Sequence, residues 1–114
     1  GFQRRNKLKQ AEFAIEKTKN DLATLSQAID LEQEQASTNL KNNFLALESQ
    51  KTNVNLAQSV FDLSKKKYEA GVGSNTEVVQ AESALREAQS NYYGALLNVF
   101  ISKIDLQKSL GLLK

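Results

Sequence analysis

Along the first part of the chain, apolar and small residues recur at gaps of 3 or 4, or at the 7 that these sum to: Leu8, Ala11, Ile15, Leu22, Leu25, Ile29, Ala36, Leu40, Phe44, Leu47, Val54, Ala57, Phe61 and Tyr68. That spacing keeps one stripe of a helix facing a neighbour over many turns, as in a coiled coil. Thr18, Gln33, Lys51 and Ser64 interrupt the stripe, so the seam is punctured by polar groups and weaker than a leucine zipper. A second run repeats the pattern at Val78, Ala81, Leu85, Ala88, Tyr92, Ala95, Val99, Leu106 and Leu110. Many of its positions are Ala, which permits close helix approach. The pattern predicts an all-α fold: a long antiparallel α-helical hairpin, or coiled coil, treated as one domain over 1–114. Its helices span about 3–70 and 75–110, and its tip spans 71–74.

Each helix also carries a second apolar stripe. In the first it comprises Phe13, Ala14, Leu45, Leu56, Val60 and Leu63; in the second, Val79, Ala84, Tyr93, Leu96, Phe100 and Ile104. One partner helix does not cover two stripes, so the pattern predicts a layer or ring with neighbours on both sides. The helix lengths differ as well. At ~1.5 Å per residue the first runs to about 100 Å and the second to about 54 Å. Folded back from the tip, the second helix reaches about residue 36. Residues 5–35 then need cover from elsewhere in a longer protein, or from a second copy. A bend near Gln33–Asn39 would instead give a three-helix bundle. That stretch holds neither Gly nor Pro, and a continuous helix is the expectation.

The tip is where the pattern breaks. Residues 68–79 hold two of the five glycines, Gly71 and Gly73. Gly71 suits the left-handed position that ends a helix. Ser74 and Glu77 have the spacing of a capping box, which opens the next helix. The connection is therefore short and forces antiparallel helices. Lys65, Lys66 and Lys67 precede the turn and Glu77 follows it, each complementing a helix dipole. Val72, between two glycines, is predicted to stand exposed at the apex, and with Gly71 and Gly73 it is a candidate docking surface. At the far end, Lys108 and Gly111-Leu112 fit a helix stop of Schellman type. Ion pairs are predicted on the exposed faces between Glu82 and Arg86 and between Asp62 and Lys66.

Composition narrows the function. The chain has 114 residues, a net charge of +2, and no Pro, Cys, Met, Trp or His. Without Cys or His the common soft metal sites and thiol chemistry have no ligands, so no metal and no cofactor is expected. The carboxylates are scattered along helix faces and no phosphate-binding Gly-rich loop is present, so an enzyme is not expected. The small, mixed charge gives no electrostatic case for nucleic acid. No apolar run approaches the roughly 20 residues of a membrane-spanning helix, and no face is both broadly apolar and basic, as a membrane-surface helix requires. No signal peptide is seen, and Gly1-Phe2 reads as a position inside a larger protein. The absence of Cys suits an oxidising compartment such as the periplasm.

The run Tyr68-Glu-Ala-Gly-Val-Gly-Ser-Asn-Thr-Glu-Val-Val-Gln-Ala-Glu-Ser-Ala-Leu85 resembles the periplasmic hairpin tip of the TolC-like outer-membrane efflux proteins. Their pattern has Tyr-x-x-Gly, a short turn, then Asp-Val-Leu and an Ala/Leu-rich helix. Tyr92-Tyr93-Gly-Ala-Leu-Leu, Asp105-Leu106-Gln-Lys-Ser-Leu110-Gly111 and the opening Gly1-Phe2-Gln3-Arg4-Arg5-Asn6-Lys7 extend the resemblance over essentially the whole chain. The resemblance implies the second-repeat hairpin of a trimeric outer-membrane channel of a Gram-negative envelope, used for efflux or type I secretion. The hairpin would form part of its periplasmic α-helical tunnel. The partners implied are two further copies in a homotrimer, a periplasmic adaptor (membrane fusion protein) docking at Gly71, Val72 and Gly73, and an inner-membrane pump. Tyr68, Glu77 and Gln80 are the candidates for tunnel closure, although Tyr68 also reads as a seam aromatic. Two positions depart from the best-known members, which carry an Arg at the site of Gly73 and an acid at the site of Gln80; Glu77 keeps an acid at the first of their acidic sites. An adaptor-type periplasmic hairpin and a stand-alone coiled-coil tether are the alternatives. The first fits poorly because Arg86 lies well away from the tip.

Overall fold

The computed structural model describes residues 1–111, all α-helix apart from the chain start, one turn and the final cap. Helix α1 runs Phe2–Glu69 and α2 runs Asn75–Ser109. No Pro interrupts either helix. α1 passes without a break through Gln33–Asn39, where a three-helix bundle would need one. Among the described residues no helix is long and apolar enough to cross a membrane. The chain divides into two units, Gly1–Gln35 and Ala36–Lys114.

The second unit is the antiparallel hairpin. On α1, the positions shielded from solvent are Ala36, Leu40, Asn43, Leu47, Gln50, Val54, Ala57, Phe61 and Ser64, at gaps alternating 4 and 3. On α2 they include Val78, Ala81, Leu85, Ala88, Tyr92, Ala95, Val99, Ser102, Leu106 and Ser109, at gaps alternating 3 and 4. Both are unbroken heptad frames. The most deeply covered side chains are Ala81 and Leu85 at 7% exposure and Val99 at 6%. α1 has no fully buried residue, as expected of a seam with helix on one side and water on the other.

Across this seam Asn43 Nδ2 donates to Ser102 Oγ, and at 3.5 Å to the Asn98 carbonyl. Ser102 is the buried polar residue of the core, and Asn43 gives its hydroxyl a partner. The pair marks the register. Moving outward from it in opposite directions sets Leu47 level with Val99, Val54 with Tyr92, Ala57 with Ala88, and Phe61 with Leu85. One column of each helix is thus large and apolar, and the other is small or polar. Alternating large and small layers interdigitate at native density.

The structure ends the seam on α1 at Ser64, leaving the expected seam residue Tyr68 49% exposed, and shifts the seam at three places. Asn43, not Phe44, sits in the frame, and Phe44 is 49% exposed. Gln50 takes the place given to Lys51, and Ser109 that given to Leu110. In each case a reading by apolarity or by gaps chose a neighbour one residue away, whereas the strict 3–4 alternation holds through polar positions.

The first unit is a stretch of helix with its apolar residues in water. Leu8, Ile15, Leu22 and Ile29 fall every seventh residue, and all four are exposed, as are Leu25 and Phe13. Thr18 returns its hydroxyl to the Ala14 carbonyl at 3.0 Å, a local bond that satisfies it within its own helix.

On the faces of the hairpin, Arg86 pairs with Glu82 at 2.8 Å. The expected Asp62–Lys66 pair is not formed; Asp62 instead accepts from Gln58 Nε2 at 3.0 Å. Exposed pairs gain so little over solvation that a competing amide one turn away is enough to displace one. Apart from half-covered Leu96, the large members of the hairpin's second stripes, among them Leu56, Val60, Leu63, Tyr93, Phe100 and Ile104, stay exposed on its flanks.

Candidate functional site

The tip is built by two consecutive helix caps. At the end of α1, the Gly71 N–H donates to the Tyr68 carbonyl at 3.0 Å and the Val72 N–H donates to the Lys67 carbonyl at 3.0 Å. That is the complete bond pair of a Schellman motif, with Gly71 in the left-handed position at φ 79°. The Gly73 N–H donates to the same Lys67 carbonyl at 3.1 Å. The carbonyls that α1 would otherwise leave unpaired are drawn into the turn.

The second cap is Ser74. Its extended backbone (φ −109°, ψ 152°) directs its hydroxyl to accept from the Glu77 N–H at 3.2 Å. The return bond of a capping box, from the Ser74 N–H to the Glu77 carboxylate, is not made, so the box is half-formed. The Glu77 carboxylate lies in the first turn of α2, while Lys66 and Lys67 lie in the last turn of α1.

Gly73 has a steric reason. A Cβ there would sit 3.0 Å from Lys67 Cβ and 3.1 Å from the Tyr68 nitrogen. The chain doubles back so closely over α1 that a side chain at this position needs Lys67 and Tyr68 to give by a few tenths of an ångström. An arginine in place of Gly73 therefore does not fit this turn without rearrangement.

Val72 has no such structural reason to be apolar. It occupies the position after the left-handed glycine, where an apolar side chain commonly folds back onto the residue three or four before the cap. Here those residues are Lys67 and Lys66. Without an apolar partner, Val72 is 75% exposed at the apex. The three docking candidates Gly71, Val72 and Gly73 thus form one rigid turn that presents a single apolar side chain.

The closure candidates separate. Glu77 and Gln80 line an open groove on the flank beside the tip, together with Val60, Ser64, Lys67, Ala81 and Ala84. Tyr68 is not part of it and lies half-exposed at the end of α1. Sequence reasoning found Glu77 and Gln80 but not this groove. Its signal was the seam itself: with Ser64 and Ala81 at small positions, the floor between the helices is shallow. At the far end of α2, the Gly111 N–H donates to the Lys108 carbonyl at 3.0 Å and Gly111 takes φ 74°. This is the first half of the same motif; Leu112, expected to complete it, lies outside the described residues. Among the described residues no cluster of carboxylates is placed to hold a metal ion.

Compared with known proteins, residues 1–112 match the model of one family, described as outer membrane efflux protein. No curated protein and no solved structure matches the chain.

Proposed function

The chain belongs to the outer membrane efflux protein family, and from that premise we propose that it is a periplasmic tunnel segment of a trimeric channel whose tip docks an adaptor protein. The match over residues 1–112 carries this reading, because it takes in both helices and the turn together. Helices in a tunnel wall have a neighbour on each side, which accounts for the apolar flanks left exposed on the hairpin. A wall of other helices likewise accounts for the apolar face of residues 8–29. The segment conducts and docks; it does no covalent chemistry. In the envelope of a Gram-negative cell it stands below the outer membrane, and the adaptor links it to an inner-membrane pump for efflux or type I secretion.

Docking falls to Gly71, Val72 and Gly73. Val72 offers an apolar contact, and the glycines let a partner's backbone approach closely. Closure of the tunnel falls to Glu77 and Gln80, with Lys67 beside them in the groove and Tyr68 half-exposed at the end of α1. A lock through an arginine at position 73 is replaced by this weaker, mixed set.

Val72→Asp in the full-length protein tests the reading. The apex lies outside the seam, so helicity by circular dichroism stays unchanged, while crosslinking of the tip to a periplasmic adaptor falls at least fivefold. Unchanged crosslinking would remove the docking role, and lost helicity would make Val72 a structural residue instead. An immunoblot of fractionated envelopes tests placement: the channel reading requires a band several times larger than this chain in the outer-membrane fraction, and a chain-sized soluble band contradicts it.

A further inference from the structure

We propose that the tip turn, rather than the seam, fixes the register of the hairpin, and that the seam by itself also accepts a pairing displaced by one heptad. In the native register Ala57 lies level with Ala88, and Asn43 donates to Ser102 and to the Asn98 carbonyl. Sliding α2 by seven residues sets Ala57 level with Ala95 and Asn43 with Ser109. Small still meets small, and Asn43 still meets a serine, now with the Asp105 carbonyl one turn away. Gln50 comes level with Ser102, so the buried hydroxyl keeps a polar neighbour. A polar seam residue specifies register only where the alternatives leave it unpaired, and this alternative does not. The displacement is about 10 Å along the helix axis.

The seam keeps one preference. The native pairing sets Phe61 against Leu85 and Val54 against Tyr92. The displaced one sets Phe61 against Tyr92 and Val54 against Val99, which crowds one layer and empties another. The turn has no such tolerance. Gly71 is held left-handed by two backbone bonds, Gly73 is tightly packed against Lys67 and Tyr68, and Ser74 caps α2 five residues after Glu69, where α1 ends. These features fix the turn at 70–74. A heptad slip needs it to move or grow.

The chain contains no cysteine, so engineered pairs report pairing without background. Two pairs are compared at high dilution: Ala57→Cys with Ala88→Cys for the native register, and Ala57→Cys with Ala95→Cys for the displaced one. Each is made in the parent chain and in a variant with seven Gly/Ser residues inserted after Val72. An exposed turn tolerates such an insertion at small entropic cost, and circular dichroism checks that helicity is kept. In the parent only the 57–88 disulfide forms. In the inserted variant the 57–95 disulfide appears within the monomer at one-tenth or more of the 57–88 yield. A yield below one-tenth would show that the seam holds the register without the turn. So would a 57–95 yield in the parent matching that of the variant, since the turn would then exert no control.

Discussion

Residues 8–29 and residues 81–102 carry apolar columns of similar regularity, yet they stand in opposite environments. Leu22 is 60% exposed, whereas Leu85 is 7% exposed. Both lie on long helices, and neither stretch contains Pro or Gly except Gly94. The difference is therefore not in the quality of the pattern. A heptad repeat states that a helix has a partner, and it does not state which chain segment supplies it. In the second unit the turn at 70–74 supplies that partner at once. In the first unit nothing within Gly1–Gln35 does.

The largest consequence is in local stability. An unpartnered helix is held by propensity and backbone bonds alone, which for single helices in water is marginal. Amide hydrogen exchange on this chain alone sharpens the contrast: amides of residues 8–29 exchange with protection below about 10, and those of 81–102 with protection on the order of 10³ or more. Equal protection in the two stretches would mean that the first unit finds cover in solution, as a self-associating chain does. Dilution distinguishes that case, since protection from association falls with concentration.

A smaller effect, and a more specific one, comes from truncating one side chain in each region. Leu85→Ala removes a covered side chain from a layer with Phe61 and costs about 2–4 kcal/mol in urea unfolding. Leu22→Ala removes one already in water and replaces it with a better helix former, so the same measurement moves by less than about 0.5 kcal/mol. In the tunnel wall proposed above the order would narrow, because neighbouring helices would cover Leu22. If Leu22→Ala costs as much as Leu85→Ala in the isolated chain, the distinction between the two regions fails.

These contrasts also show what was readable in advance. The two helices, the short turn and the reach of α2 to about residue 36 follow from spacing, from Gly71 and Ser74, and from length. The frame of the seam was less readable, because apolarity favoured Phe44 where geometry placed Asn43. A polar residue enters a seam when a partner such as Ser102 awaits it across the interface, and that partner lies 59 residues away. The Asp62–Lys66 expectation fails for the reverse reason: on an exposed face several weak partners compete, and spacing does not rank them. At the tip, the glycines announced a turn, but only the backbone trace gives Gly73 its reason, the closeness of Lys67 and Tyr68. The groove around Glu77 and Gln80 needed both helices in place.

The smallest effect concerns Gly94, a glycine inside α2 that the hairpin itself does not require. A Cβ built there meets nothing within 4 Å, and its φ is not in the left-handed region. A glycine inside a helix costs about 0.5–1 kcal/mol relative to alanine, through the freedom it loses on folding. Gly94→Ala therefore raises the stability of the isolated chain by that amount, read as a higher urea midpoint at unchanged slope. The residue lies on a face next to Tyr93 and Leu97, both exposed. If another helix packs there in the full-length protein, the added methyl stands in its path, and the assembled protein loses stability although the hairpin has gained it. Opposite signs in the two measurements would locate a neighbour at Gly94 and would carry the contrast between covered and uncovered faces from residues 8–29 to the flank of the hairpin itself. A gain in both would leave this face of α2 open to solvent.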